Sequence, residues 1–163
     1  MMSTNMQNDT EIHRDAQTCF LPGFRDGEAG PAVSSMASYF GKKAAIPRRV
    51  LVVEDNPDTI RTTVLLLRDM GHHVDYAMHG YSAIDVAVRF RPDFVFLDLG
   101  LPGINGFEVC SRMKKQPGLE HVRIIAITGY GQEEYRARAK AAGCEMVLLK
   151  PVSPRVLEEL LLS

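Results

Sequence analysis

The chain reads as an α/β protein built on a doubly wound parallel sheet. Two observations predict this. Short runs of apolar residues recur five times, and each lacks the polar alternation of a half-exposed strand, as buried parallel strands do. Between them stand segments with apolar residues at helical spacing, in strict alternation and with short connections, which places helices on both faces of one sheet.

Order is expected from Arg49. Val50-Leu51-Val52-Val53 is a β-branched and aliphatic run ending in Glu54-Asp55-Asn56-Pro57. Ile60, Val64 and Leu67 then recur at helical spacing, with Leu65 and Leu66 widening the face and Gly71 as the stop. His72 to Ala77 reads as a shorter second strand. A helix from about Tyr81 to Phe90 carries Ala83, Ile84, Ala87 and Val88 inward. Pro92 forces its end, because the residue before proline avoids helical dihedrals. Phe94 to Asp98 is the third strand, and a glycine-rich loop leads to a helix from about Gly106 to Lys115. Pro117-Gly118 turns the chain into the fourth strand, Ile124 to Ile127, which ends at Thr128. A helix from about Gln132 to Ala142 stops at Gly143, and Met146 to Leu149 is the fifth strand, ending in Lys150-Pro151. Ser153 caps the last helix with Pro154 at its first position, and Leu157, Leu160 and Leu161 form its stripe. Five such units most simply give a five-stranded flavodoxin-like (βα)5 sheet in the order 2-1-3-4-5.

Residues 1–46 differ from the rest, being rich in Ser, Thr, Asn, Asp, Gly and Met without hydrophobic periodicity. They are expected to form a disordered or loosely docked tail, with residues 47–163 as the folded domain. Lys42, Lys43, Arg48 and Arg49 make a small basic cluster that reads as solvated surface. The net charge of −1 gives no support to nucleic-acid binding through bulk positive charge. No run approaches the roughly 18–20 apolar residues of a membrane span, so no membrane insertion is expected. Met1 to Asp15 lacks the apolar segment of a secretory leader, and a cytoplasmic protein is expected. Cys19, Cys110 and Cys144 are widely separated and odd in number, which suits reduced thiols. His13, His72, His73, His79 and His121 lack metal-ligand spacing and are read as surface.

Function is carried by what stands at the strand ends. The first strand presents Glu54 and Asp55, the third Asp98, the fourth Thr128 and the fifth Lys150. In this topology the carboxyl ends of strands 1, 3 and 4 meet in one crevice, with strand 5 beside them. Each residue alone has a plain structural reading as a cap or a solvated charge. Together, three carboxylates would repel one another unless neutralised. Hard oxygen donors select Mg²⁺ or Mn²⁺. Thr128 and Lys150 add a hydroxyl and a point cation, the groups a phosphoryl oxygen needs. A carboxylate beside a metal and a lysine can accept a phosphoryl group as an acyl phosphate.

Four segments carry a resemblance. Val53-Glu54-Asp55-Asn56, Leu97-Asp98-Leu99-Gly100-Leu101-Pro102-Gly103, Ile127-Thr128-Gly129-Tyr130-Gly131-Gln132-Glu133 and Leu149-Lys150-Pro151-Val152 resemble the signature blocks of the bacterial two-component response-regulator receiver domain. The third block is similar to receivers of hybrid histidine kinases and to stand-alone receivers. The resemblance implies Asp98 as phospho-acceptor, with Asp55, Asp98 and the Gly100 carbonyl on Mg²⁺ and Glu54 acting largely through water. It implies Thr128 and Lys150 on the phosphoryl oxygens, Lys150 on Asp98 before transfer, and a cis Lys150–Pro151 bond. The implied partners are a histidine kinase or histidine phosphotransfer protein and a downstream protein target, with an activation-dependent homodimer left open. Catalysis would be confined to the domain's own phosphorylation and dephosphorylation.

Val147 stands where many receivers carry a Tyr, Phe or His that follows the threonine inward. Readout is therefore expected through the loop from Thr128 to Gln132 and its helix, or as phosphoryl relay. Gly100 and Tyr130 flank the site where water access would be tuned. The chain ends at Ser163 after the last helix, so no output domain is expected, and a fragment of a hybrid kinase stays open. Two other classes compete. A haloacid-dehalogenase-like phosphatase would carry a second aspartate two residues after the nucleophile, where Gly100 stands. A phosphorylation-independent interaction module would have no use for the acceptor, metal and lysine set.

Overall fold

A computed structural model describes residues 46–163. The expectation of a loose tail over residues 1–46 lies, Ile46 apart, outside the described residues. The elements follow in the order β1 (Arg49–Val53), α1 (Pro57–Asp69), β2 (His73–Ala77), α2 (Gly80–Phe90), β3 (Phe94–Asp98), α3 (Gly106–Lys114), β4 (Arg123–Thr128), α4 (Glu133–Ala142), β5 (Met146–Leu149) and α5 (Pro154–Leu162). All strands are parallel, in the order β2-β1-β3-β4-β5.

Strand side chains alternate between the two faces of the sheet and divide the core in two. Val50, Val52, Phe94, Phe96 and Ile125 pack under α1 and α5, against Ile60, Val64, Leu67, Leu157 and Leu161. Leu51, Val53, Val95, Leu97, Ile124 and Ala126 pack against Ala83, Ala87, Val109, Met113 and Ala139 of the other three helices. Each fully buried Leu, Ile or Phe contributes about 1.5–3 kcal/mol, so these two layers hold the sheet.

Helix ends are set by short polar side chains. Asn56 Oδ1 accepts from the Asp58 and Thr59 amides at 2.9 and 3.0 Å, just before Pro57. Asn105 Oδ1 accepts from the Glu108 amide at 3.0 Å, and Ser153 Oγ from the Val156 amide at 3.4 Å. Gly143 ends α4 at φ 100°, a left-handed conformation that costs glycine nothing. The α2 helix ends at Phe90, one residue earlier than Arg91, which turns left-handed ahead of Pro92.

The structure corrects three expectations. Val88 is exposed, because α2 turns Ala83 and Ala87 to the core and leaves the Ile84–Val88 stripe at the rim. Arg48 and Arg49 are not merely solvated: Arg48 Nε donates to the Leu161 carbonyl at 3.5 Å, and Arg49 Nε to that of Phe90 at 2.7 Å. His72 is not a surface residue. It is only 7% exposed, and its Nδ1 accepts the Arg48 amide hydrogen at 3.1 Å.

Burial holds the His72 pKa below its ordinary 6.5, and the positive charges of Arg48 and His73 push it the same way. The unfolded chain therefore binds this proton first. His72's contribution to stability is full above about pH 6.5 and is lost as pH falls from there through its folded value. Denaturant midpoints measured against pH should fall across that window, and His72→Gln should flatten the profile.

A second expected outcome concerns Gly106. A Cβ there would stand 2.6 Å from both the Asp98 carbonyl oxygen and the Leu99 Cα, which are backbone atoms that cannot swing aside. Gly106→Ala should cost about 1–3 kcal/mol, read as a lower urea midpoint, by forcing α3 away from the end of β3.

Candidate functional site

The site is assembled by strand register. Val53 is level with Leu97 and Asp98 with Ile127, so Glu54 leaves β1 beside Asp98. The Glu54 amide is tied to the Ala77 carbonyl at 3.2 Å, and the Lys150 amide to the Thr128 carbonyl at 2.9 Å. Three strand ends thus fix the backbone of Glu54, Asp98 and Lys150 before their side chains meet.

Lys150 Nζ donates to Asp98 Oδ2 and to Glu54 Oε2, both at 2.7 Å. The other Asp98 oxygen, Oδ1, accepts the Gly100 amide hydrogen at 2.8 Å, and Glu54 Oε1 accepts that of Asn56 at 3.4 Å. Both carboxylates are buried, whereas the Lys150 side chain keeps 34% of its surface in water. Burial pushes the Glu54 pKa up; the hydrogen bond from Lys150 opposes this, the Asp98 charge adds to it, and the net shift is upward. Burial alone would lower the Lys150 pKa, but its bonds to Asp98 and Glu54 outweigh that and raise it.

Asp55 completes an all-oxygen cluster. One carboxylate oxygen from each of Glu54, Asp55 and Asp98 lies within 4.8 Å of the others. Asp55 is exposed at the start of the loop, so the cluster opens to solvent on its side. Lys150 offsets one of three negative charges, and such a set fits a hard divalent cation that keeps much of its own water.

Thr128 is fully buried, and its Oγ1 accepts the Tyr130 amide hydrogen at 3.1 Å. Its oxygen is thus engaged by its own loop, as in the capping reading of a strand-end threonine. Gly100 stands over the acceptor, where an added Cβ would meet Asp98 Oδ1 at 3.4 Å. The expected cis bond is present at Lys150–Pro151. Glu54 is held directly by Lys150, a bond that the expected water-mediated role did not include. The Tyr130 ring stacks on Tyr135 of α4 at 5.0 Å, and Tyr135 meets Phe107 of α3 at 5.9 Å.

Sequence reasoning missed the site's floor. A cavity of about 450 Å³ touches Glu54, Asp98 and Lys150 and is walled by Thr59 and Thr63 of α1, Phe96, Ile127 and Leu157. The four-residue spacing of Thr59 and Thr63, one turn of α1, was the signal available for this wall.

Lys150→Met should leave two buried carboxylates without their cation. The stability loss should be below the roughly 3–5 kcal/mol of a fully buried broken pair, because water reaches this site. Thermal melts at neutral pH should show it. The loss should shrink as pH falls toward the raised Glu54 pKa, where the folded state takes up a proton and one charge disappears.

Comparison with known proteins agrees with this geometry. The response regulator receiver domain family matches residues 50–162. The polar-differentiation response regulator DivK of Brucella anthropi is 32% identical over 114 residues, spanning 69% of this chain and 93% of that protein. The chemotaxis protein CheY4 of Vibrio cholerae superposes with a TM-score of 0.68 at 28% identity, covering 71% of this chain and 97% of that one. The receiver domain of the Pseudomonas aeruginosa sensor histidine kinase PA1611, with a magnesium ion coordinated in its active site cleft, gives 0.65 at 29% identity over 71% and 95%. No helix among the described residues is long and apolar enough to cross a membrane.

Proposed function

This chain belongs to the response-regulator receiver family, and from that premise we propose that it accepts a phosphoryl group on Asp98 from a histidine kinase or histidine phosphotransfer protein. The observation that carries the reading is Lys150 Nζ bridging Asp98 and Glu54 with Asp55 alongside. Three converging carboxylates leave negative charge that one lysine does not offset.

In the transfer, a carboxylate oxygen of Asp98 forms a bond to phosphorus. The bond from phosphorus to the donor's imidazole nitrogen breaks, and that nitrogen keeps the electron pair. Asp98 becomes an acyl phosphate. Lys150 loses a carboxylate charge on Asp98 and gains a phosphoryl oxygen within reach of the same ammonium. Glu54 keeps the ammonium near the site during this exchange. Asp55, Asp98 and the Gly100 carbonyl would hold Mg²⁺, with Glu54 in support. When bound, the cation offsets charge on the transferring group. Thr128 would give up the Tyr130 amide to turn its hydroxyl toward a phosphoryl oxygen. With Val147 on β5 in place of an aromatic, that exchange acts on Tyr130 and its stack with Tyr135 on α4. Output then passes to a protein partner at α4, in the cytoplasm, with catalysis limited to the domain's own phosphoryl gain and loss.

The test is intact mass after incubation with acetyl phosphate and Mg²⁺. One added phosphoryl group, about 80 Da, is expected, and it should be absent in Asp98→Asn and in EDTA. An unchanged mass after exposure of folded protein to a phosphorylated histidine donor would overturn the reading.

A further inference from the structure

We propose that Cys110 and Cys144 form a two-electron thiol–disulfide site that joins α3 to the turn after α4. Nothing in the proposed phosphoryl chemistry uses either thiol. The two are 34 residues apart in sequence, yet the Cys144 thiol donates to the Cys110 sulfur at 3.1 Å. Both are buried.

The backbone carrying each sulfur is fixed. Cys110 lies within α3, between the core residues Val109 and Met113. Cys144 follows the left-handed Gly143, and its amide donates to the Ala139 carbonyl at 2.9 Å. A disulfide needs its sulfurs at about 2.05 Å, so closure requires an approach of about 1 Å.

A nearby cation acts on both thiols. Lys114 lies one turn after Cys110 on α3, and its Cγ stands 3.1 Å from where a Gly143 Cβ would be. The hydrogen bond from Cys144 lowers the Cys110 pKa and the Lys114 charge assists, against the effect of burial. Donating that hydrogen pushes the Cys144 pKa up, and burial pushes it further. The Lys114 charge favours the thiolate of both, so the first attack falls to whichever sulfur the oxidant reaches.

With hydrogen peroxide as oxidant the chemistry balances. One of the two sulfurs attacks one peroxide oxygen, the O–O bond breaks, and the departing hydroxide leaves as water with that thiol's proton. This gives a sulfenic acid. The other sulfur attacks the sulfenic sulfur, the S–O bond breaks, and the second hydroxide takes the remaining thiol proton as another water. Two thiols lose two electrons and the peroxide gains them. Entry is by opening of α4, whose C-terminal end carries its one buried residue, Ala139, so less apolar burial opposes that opening than for α1, which buries three. Once formed, the bond pins that end of α4 to α3.

The test uses the full chain. After peroxide treatment, free thiols are alkylated under denaturing conditions and the peptides mapped. The expected product has lost about 2 Da, links Cys110 to Cys144, leaves Cys19 alkylated and reverts with dithiothreitol. Amide hydrogen exchange across residues 139–146 should slow about tenfold in the oxidised form. Cys144→Ala and Cys110→Ala should each leave, on the remaining buried thiol, a sulfenic acid that dimedone traps. Asp98→Asn should cross-link like the parent, which separates this site from phosphoryl acceptance. A link from Cys19 to either buried thiol would overturn the proposal. So would alkylation of both Cys110 and Cys144 after peroxide, or their separate conversion to sulfinic acids without a cross-link. The parent chain alone decides these outcomes, so the folding of the variants does not.

Discussion

The structure depends on one ammonium holding two buried carboxylates. Glu54 and Asp98 emerge side by side from adjacent strands, and neither could be ionised there at low cost without a cation between them. Lys150 supplies it with two bonds of 2.7 Å. The arrangement is stable but not neutral. Asp55 brings a further negative charge to the solvent side, so the crevice retains a demand for positive charge that no described side chain meets.

The sheet makes that bond attainable. The three groups come from β1, β3 and the end of β5, far apart in sequence, and only a parallel sheet delivers all of them to one edge. The 2-1-3-4-5 order then puts β1 and β3 inside the sheet, with a strand on each side and packed faces above and below. Gly106 shows how tight this delivery is, since α3 begins in backbone contact with the last residue of β3. Fold stability and site geometry are therefore coupled at the end of β3.

Where sequence and structure agree, the physics is local. The strands were legible because two-sided burial demands unbroken apolar runs, and the site was legible because those runs end in charged or hydroxylic residues. The misses depend on what comes from elsewhere in the chain. His72 reads as polar and near a turn, but the Arg48 amide arrives from 24 residues away to cap it. Val88 is apolar at helical spacing, yet which stripe of α2 faces the sheet is set by the closeness of Ala83 and Ala87 to the core. The Cys110–Cys144 contact depends on how α3 and the α4–β5 turn pack, and no spacing rule for cysteine covers it. The bond from Glu54 to Lys150 likewise requires knowing that both reach the same side of Asp98.

The same contrast bears on the element proposed to carry output. α1 buries Ile60, Val64 and Leu67, whereas α4 buries Ala139 alone. Much of what else holds α4 lies at its two ends. At its start, the Tyr130–Tyr135 stack is backed by Phe107, with the Arg138 guanidinium over the Phe107 ring at 4.4 Å. At its finish, Gly143 and Cys144 seat the turn against α3. The first attachment leads back to the site, because the amide of Tyr130 is bound to the Thr128 hydroxyl oxygen. A helix with so little apolar burial is moved by changes worth only a few kcal/mol, the scale of one hydrogen bond exchanged and one aromatic contact rearranged. In the proposed readout, events at the Thr128 end of β4 would reach α4 through its first turn, and the proposed thiol pair would set how freely the far end follows.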